Sequence, residues 1–147
     1  MVPNAERWGK TSAESDARIT PLGGFLRKYK LDELPQFINV LRGDMSVVGP
    51  RPEFPEYTAL YTPAERSILN VRPGITDLAS IEFRNLDRVL EESRDPEGYY
   101  VAQVLPEKNR LRLEYVRSQS VLGDLKIILK TLVNLFSDRL DKQRKWS

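Results

Sequence analysis

The sequence predicts a mainly α protein with little β structure, folded as one compact domain of short, proline-linked helices. Three observations lead to this expectation. The length of 147 residues is usual for one domain, and apolar residues recur at helical spacing in several segments. Ten prolines are available to form corners between helices. We therefore treat 1–147 as one domain, with 1–18 as a flexible polar arm.

Two helices are predicted near the N-terminus. Thr20 followed by Pro21 is typical of an N-cap and first helical position, and the helix extends to Lys30. Asp32 is the expected N-cap of the second helix, which Gly43 ends. Its apolar positions recur at helical spacing and are Leu34, Phe37, Ile38 and Leu41.

The middle of the chain is predicted to be mostly irregular. Residues 44–56 hold one apolar pair and then prolines, which indicates a rigid connection. A short helix is expected over 63–69 and a turn over 71–74. Residues 77–83 are expected to be a short strand or an extended segment.

Three further helices are predicted towards the C-terminus. One begins at 95–97 and runs to about 105, a second restarts at Pro106 and runs to 117, and Ser120 caps a third over 121–140. The last of these is amphipathic, with apolar residues at i, i+3, i+4 and i+7 and basic residues beside them. It is either a core helix or an interfacial helix on an anionic membrane, with membrane contacts at Leu125, Leu129, Leu132, Phe136 and Trp146.

Composition excludes several kinds of chemistry. The chain has no cysteine and no histidine, which rules out thiol catalysis, histidine bases and Cys- or His-ligated metals. Any catalysis must use carboxylates, Lys, Arg, Tyr, Ser or Thr, and any metal must prefer oxygen ligands, with Mg²⁺ the obvious candidate. A net charge of +2 is too small for a typical nucleic-acid-binding protein. No apolar run in the sequence reaches the length of a membrane-spanning helix.

The chemistry-bearing residues are a pair of acids and three arginines held in turns. Asp32-Glu33 is either a capping residue with an acidic first turn, or a nucleophile or metal ligand beside an acid/base. Arg51, Arg72 and Arg84 are either surface ion-pair partners or phosphate ligands. Proline beside Arg51 and Arg72 stiffens the backbone, which favours the phosphate role.

Taken together, these motifs resemble the bacterial sugar transferase family, the monotopic phosphoglycosyl transferases that start glycan assembly on polyprenyl phosphate. The similarity covers most of the chain and is most specific in its central block. The matching segments are Arg18-Ile19-Thr20, Leu22-Gly23, Leu31-Asp32-Glu33-Leu34-Pro35-Gln36, Asn39-Val40-Leu41-Arg42-Gly43-Asp44-Met45-Ser46, Val48-Gly49-Pro50-Arg51-Pro52, Arg72-Pro73-Gly74-Ile75-Thr76 and Asp124-Leu125-Lys126-Ile127.

The resemblance implies transfer of a sugar-1-phosphate from a UDP-sugar to polyprenyl phosphate, with release of UMP. Asp32 would be the nucleophile and a Mg²⁺ ligand, and Glu33 the neighbouring acid/base. Gln36, Arg51, Arg72 and Arg84 would bind substrate phosphate or nucleotide. The expected location is the cytoplasmic face of the bacterial inner membrane, as a peripheral or monotopic protein. A second copy of the chain remains open as a partner, and nucleic acid is not expected.

The chain departs from the family pattern in two places. Family members usually carry a membrane-inserted hydrophobic helix and a basic segment before this block, so we expect this chain to be a fragment. Many relatives also have Gly-Leu-Ala-Gln where this chain has Asp77-Leu78-Ala79-Ser80, and a glycine where it has Phe83. Two alternatives to the transferase stay open: a Mg²⁺-dependent nucleotide-sugar phosphohydrolase, and a non-catalytic peripheral membrane module.

Overall fold

The computed structural model describes residues 20–28 and 34–144, without the side chains of 27, 28, 87, 88, 136 and 138–144. Several sequence-based predictions therefore lie outside the described residues. These are the polar arm over 1–18, the Asp32-Glu33 pair, Trp146 and the side chain of Phe136.

The described chain is mainly helical, which confirms the predicted fold class. The helices are α1 Pro21–Lys28, α2 Leu34–Arg42, α3 Pro55–Thr58, α4 Leu78–Glu82, α5 Leu86–Glu91, α6 Pro96–Tyr99, α7 Leu105–Ser118 and α8 Val121–Arg144. A 3₁₀ helix lies at Glu65–Asn70, and a π-helical turn at Tyr100–Val104 joins α6 to α7. The strands in the described part are β1 Ser46–Val48 and β2 Gly74–Thr76.

Side-chain caps begin two of these helices as predicted. The hydroxyl of Thr20 accepts from the amide of Gly23 at 3.1 Å at the start of α1. The hydroxyl of Ser120 accepts from the amide of Gly123, also at 3.1 Å, at the start of α8. Each cap satisfies an amide that the first turn of a helix leaves without a partner.

Glycine ends α2 as predicted. Gly43 has a φ of +84°, a left-handed conformation that side chains disfavour. Its amide donates to the carbonyl of Val40 at 3.0 Å, and the next amide, that of Asp44, donates to Asn39 at 2.9 Å. This pair of hydrogen bonds is a Schellman motif, and it turns the chain directly into β1.

The two strands form a parallel pair that the sequence did not predict. Ser46 aligns with Gly74 and Val48 with Thr76. Strand β1 lies within the segment expected to be a rigid connection, and β2 begins at the last residue of the turn expected over 71–74. Three residues are too few to show the alternation by which a strand is recognised, so this pairing depends on contacts between distant parts of the chain.

The predicted extended segment over 77–83 is wrong, because these residues form helix α4. The carboxylate of Asp77 accepts from the amide of Ser80 at 2.6 Å and so caps the helix. The predicted break at Pro106 is also absent: α6, the π-helical turn and α7 follow one another directly. Pro106 directly follows the π-helical turn, where the regular i→i−4 hydrogen-bond ladder is already interrupted, so its missing N–H is tolerated without a break. Helices α3 and α5 were not predicted.

Two apolar clusters form the core. The larger surrounds the π-helical turn and consists of Tyr57, Tyr61, Ile68, Leu90, Tyr100, Val104 and Leu105. The smaller joins β1, α7 and α8 through Val48, Tyr115 and Ile127. Helix α7 packs against α4 and the 3₁₀ helix, and α8 packs against α4 and both strands. The loop after β1 is thereby held between α4 and α7.

Candidate functional site

Five polar side chains meet where the loop after β1, the start of α4 and α7 come together. We call Glu53, Asp77, Tyr100, Lys108 and Arg112 the buried polar cluster. Asp77 is 1% exposed and Arg112 is 3% exposed. Charges removed from water to this degree are tolerated only when they are paired and hydrogen-bonded.

Arg112 pairs with both acids of the cluster. Its Nη2 donates to Glu53 Oε1 at 2.8 Å, and its Nε donates to Asp77 Oδ2 at 3.3 Å. Its Nη1 faces the hydroxyl of Tyr61 at 3.4 Å. Burial lowers the pKa of Arg112, but the two carboxylates outweigh it and the net pKa is raised. The guanidinium therefore stays charged and joins two segments of the chain.

Glu53 accepts two further hydrogen bonds. The hydroxyl of Tyr100 donates to Glu53 Oε1 at 2.8 Å, and Nζ of Lys108 lies 3.4 Å from the same oxygen. Lys108 also donates to the Tyr100 hydroxyl at 3.0 Å. Burial lowers the pKa of Lys108, and burial together with Glu53 raises the pKa of Tyr100. Glu53 therefore accepts from three side chains, and these hydrogen bonds hold its carboxylate in one position.

Arg51 is tied to the cluster through its backbone. The amide of Arg51 donates to Asp77 Oδ2 at 3.0 Å, and its Nη1 donates to the carbonyl of Ile75 at 2.8 Å. Arg51 is half-buried between Pro50 and Pro52. The arginine predicted to bind phosphate is therefore held at the backbone by α4 and at the guanidinium by β2.

Two glycines bring the segments of Arg51 and Arg72 together. The amide of Gly49 donates to Thr76 at 3.0 Å, and the amide of Gly74 donates to Pro50 at 3.1 Å. A Cβ on Gly49 would lie 2.6 Å from the carbonyl oxygen of Arg72, and a Cβ on Gly74 would meet the backbone of Gly49. Only glycine permits this approach. The side chain of Arg72 itself is exposed.

Arg84 lies on a different part of the surface. Its Nη1 donates to Asn134 Oδ1 of α8 at 2.8 Å. A groove of about 590 Å³ runs beside it and is lined by Ile81, Glu82, Arg84, Asn85, Leu129, Lys130, Val133 and Asn134. Arg51 binds the N-terminal end of α4, whereas Arg84 follows its C-terminal end. At a rise of about 1.5 Å per residue, the seven residues from Asp77 to Arg84 span about 10 Å. The backbones of Arg51 and Arg84 therefore lie near opposite ends of α4.

The other predicted ligands are Gln36, Asp32 and Glu33. Gln36 is half-buried on α2. Asp32 and Glu33 lie outside the described residues, immediately before α2 in sequence. Among residues 20–28 and 34–144, no group of three or more Asp or Glu side chains is placed to hold a metal ion. Glu53 and Asp77 both form ion pairs with Arg112.

Helix α8 presents two different faces. Ile127 is 5% exposed and packs in the core, whereas Leu125, Leu129 and Leu132 are 56%, 63% and 45% exposed. Helix α2 has no buried residue, so its predicted apolar stripe is also on the surface. Within the described ranges, no helix combines the length and apolarity required to cross a membrane.

The buried polar cluster was missed by sequence reasoning, although α7 carried a signal for it. Leu105, Asn109, Arg112 and Tyr115 recur at helical spacing, and all four are buried. Two polar residues on an otherwise apolar face indicate buried hydrogen-bonding partners. The sequence alone does not identify those partners, because Glu53 is 59 positions away from Arg112.

The chain is similar to known proteins over most of its length. The profile of the bacterial sugar transferase family matches residues 1–138. The exopolysaccharide production protein ExoY of Sinorhizobium fredii is 38% identical over 128 residues, covering 86% of this chain and 50% of that protein. The galactosyl transferase CpsE of Streptococcus agalactiae is 40% identical over 119 residues, covering 81% of this chain and 23% of CpsE.

An Escherichia coli protein named UDP-glucose:undecaprenyl-phosphate glucose-1-phosphate transferase is 36% identical over 132 residues, covering 87% of this chain and 26% of that protein. The chain thus spans half or less of the length of these three relatives. The matched range, residues 1–138, spans the positions of the Asp32-Glu33 pair, of Gly49 and Gly74, and of the buried polar cluster. The chain belongs to the bacterial sugar transferase family.

Proposed function

We propose that this chain is the catalytic part of a phosphoglycosyl transferase that moves a sugar-1-phosphate from a UDP-sugar to polyprenyl phosphate. The observation that carries the proposal is the family match over 1–138, which contains Asp32 and Glu33. Relatives whose names state this reaction match over more than four-fifths of the chain. Without histidine and cysteine, attack by a carboxylate is one of the few covalent routes left to the chain.

In the proposed reaction, a carboxylate oxygen of Asp32 attacks the sugar-linked phosphorus of the UDP-sugar. The bond from that phosphorus to the bridging oxygen breaks, and UMP leaves. An oxygen of the lipid phosphate then attacks the same phosphorus, which releases Asp32 and forms the lipid diphosphosugar. Glu33 removes a proton from the lipid phosphate, since an ionised phosphate is the better nucleophile.

The arginines would bind and orient the diphosphate. Arg51 is stiffened by its prolines and by its hydrogen bonds to Asp77 and Ile75, so little conformational freedom is lost when it binds an anion. Arg84 would contact nucleotide or sugar from the groove beside α8. Mg²⁺ held by Asp32 and the diphosphate oxygens would neutralise charge that develops on the leaving UMP.

The exposed face of α8 supports attachment to a membrane surface. Leu125, Leu129 and Leu132 project from the helix on the side away from the core, with Lys126 and Lys130 exposed beside them. Apolar residues flanked by lysine are typical of helices that lie in the interface of anionic bilayers. We propose that this face rests on the membrane that contains the lipid acceptor, with the catalytic residues on the cytoplasmic side.

The test is intact-mass spectrometry of the chain in nanodiscs with Mg²⁺ and a panel of UDP-sugars. We expect a mass gain of one sugar phosphate and an equal release of UMP, and Asp32→Asn should abolish both. Asp44→Asn is the matched control, because Asp44 is an exposed carboxylate at the end of α2. An adduct that persists in Asp32→Asn would reject Asp32 as nucleophile. UMP release without an adduct and without dependence on polyprenyl phosphate would favour the phosphohydrolase.

A further inference from the structure

The loop at residues 49–54, which we call the Arg51 loop, is fixed to three other elements. The amide of Arg51 donates to Asp77 at the start of α4, and its guanidinium donates to the carbonyl of Ile75 in β2. Two residues later, Glu53 accepts from α7 through Arg112 and Lys108. The loop therefore has anchors on both sides of the arginine.

Arg112 connects the anchors on the two sides. Its Nε donates to the carboxylate oxygen of Asp77 that also accepts from the amide of Arg51. Its Nη2 donates to Glu53 at 2.8 Å. One planar guanidinium thus fixes the distance between α4 and the far end of the loop, which a lysine ammonium could not do at both carboxylates together.

The position of Arg112 excludes direct contact with a ligand. The residue is 3% exposed, and its Nε, Nη1 and Nη2 all have acceptors within the protein. Without its charge, Asp77 and Glu53 would be two buried carboxylates, with Lys108 the remaining cation of the cluster. Carboxylates in that state repel each other and attract water, which would release the loop from α4.

We propose that Arg112 is a positioning residue that holds Arg51 in its phosphate-binding arrangement by clamping Asp77 and Glu53 together. The inference rests on the proposed function in one respect, namely that Arg51 binds substrate phosphate. Asp77 caps α4 and also links α7 to the Arg51 loop, because its Oδ2 accepts from both Arg112 and the amide of Arg51. A cluster that only stabilised the fold would not change the properties of Arg51 selectively.

The experiment compares Arg112→Met and Arg112→Lys with Arg110→Met in the full chain in nanodiscs. Met keeps an unbranched apolar side chain out to about the position of Nε and removes the charged group, and Lys keeps the charge without the fork. Arg110 is the matched control, since it lies on the same helix, is exposed, and pairs only with the exposed Glu107 and Glu114 in the described structure. Circular dichroism establishes which variants are folded.

The first readout is amide hydrogen exchange, which needs no substrate. We expect the Arg51 amide to exchange about tenfold faster in Arg112→Met than in the parent, the effect of losing about one charge-assisted hydrogen bond. The amide of Ile127, in the core of α8, should keep its protection in every variant. Arg112→Lys should give a smaller change in the same direction, and it replaces the Met variant if that protein does not fold.

The second readout is calorimetric titration with UDP and Mg²⁺. We expect the dissociation constant to rise about tenfold in Arg112→Met, less in Arg112→Lys, and to be unchanged in Arg110→Met. An unchanged dissociation constant and an unchanged Arg51 amide in Arg112→Met would overturn the positioning role and leave the proposed function intact. If the parent binds no UDP, the nucleotide role of Arg51 fails, and amide exchange alone still decides whether Arg112 positions the loop.

Discussion

Replacing Gly74 with alanine should destabilise the protein substantially. The added Cβ would meet three backbone atoms of Gly49, so β1 and β2 would have to move apart. That movement weakens the hydrogen bonds from Gly49 to Thr76 and from Gly74 to Pro50. Each is worth about 0.5–1.5 kcal/mol, and the overpacking adds about 1–3 kcal/mol. We expect a total loss of about 2–6 kcal/mol.

Urea unfolding followed by far-ultraviolet circular dichroism measures this loss, and the melting temperature should fall by about 4–24 °C. Gly123→Ala is the control, because the Cβ there meets no backbone atom within 4 Å and only the side-chain oxygen of Ser120, at 3.0 Å. That oxygen caps α8 and must shift slightly, but alanine is the better helix former, so the control should be close to neutral. A Gly74→Ala variant within about 0.5 kcal/mol of the parent would refute the reasoning, because the strands would then have room for a side chain.

Three other predictions concern single side chains. Arg51→Lys should weaken UDP binding about tenfold in calorimetry, since an ammonium cannot hold Ile75 and a phosphate with one planar fork; unchanged affinity would reject a phosphate role. Burial and a hydrogen bond to Asp124 raise the pKa of Tyr115 to about 12. The hydrogen bonds of the Tyr115 hydroxyl therefore stabilise the fold fully below about pH 10, and this stabilisation is lost as the pH rises towards 12. Tyr115→Phe should lower the free energy of unfolding in urea by about 1 kcal/mol at pH 8, and this difference from the parent should disappear by about pH 12. Leu125→Ser should reduce binding to anionic vesicles about tenfold without loss of stability, since Leu125 is exposed and does not line the groove beside Arg84. Equal vesicle binding would show that this face does not contact the membrane. The control is the buried neighbour: Ile127→Ala should cost about 2–4 kcal/mol of folding free energy.

Features of the fold that depend on neighbouring residues were predictable from the sequence. The caps at Thr20 and Ser120 and the glycine that ends α2 are each specified within four positions. The sequence also held a local signal against the extended segment over 77–83, because aspartate is one of the preferred N-cap residues and Asp77 directly precedes Leu78 and Ala79. The parallel pairing of β1 with β2 had no local signal, since each strand has three residues and its partner is 28 positions away in the register.

The candidate catalytic and phosphate-binding residues could be named from the sequence, whereas the contacts that hold them in place could not. The resemblance supplied Asp32, Glu33 and the arginines as predictions, but it did not indicate what holds Arg51 in place. That role falls to Asp77 and Arg112, which are 35 positions apart. A single sequence with 21 acidic and 23 basic residues does not specify which acid pairs with which base. Only the packing of α7 against α4 determines the pairing.

The π-helical turn at Tyr100–Val104 sets the rotational phase of α7. In a regular helix, residues eight apart differ in direction by about 80°, but residues seven apart by only about 20°. A π turn accommodates one extra residue, so Tyr100 and Lys108 can share a face although they are eight positions apart, and their polar atoms lie 3.0 Å from each other. Deleting one residue from this turn would rotate all of α7 by about 100° and turn Arg112 away from both of its carboxylates. The pairing of Lys108 and Arg112 with their acids therefore depends on a single-residue insertion in the turn that begins at Tyr100.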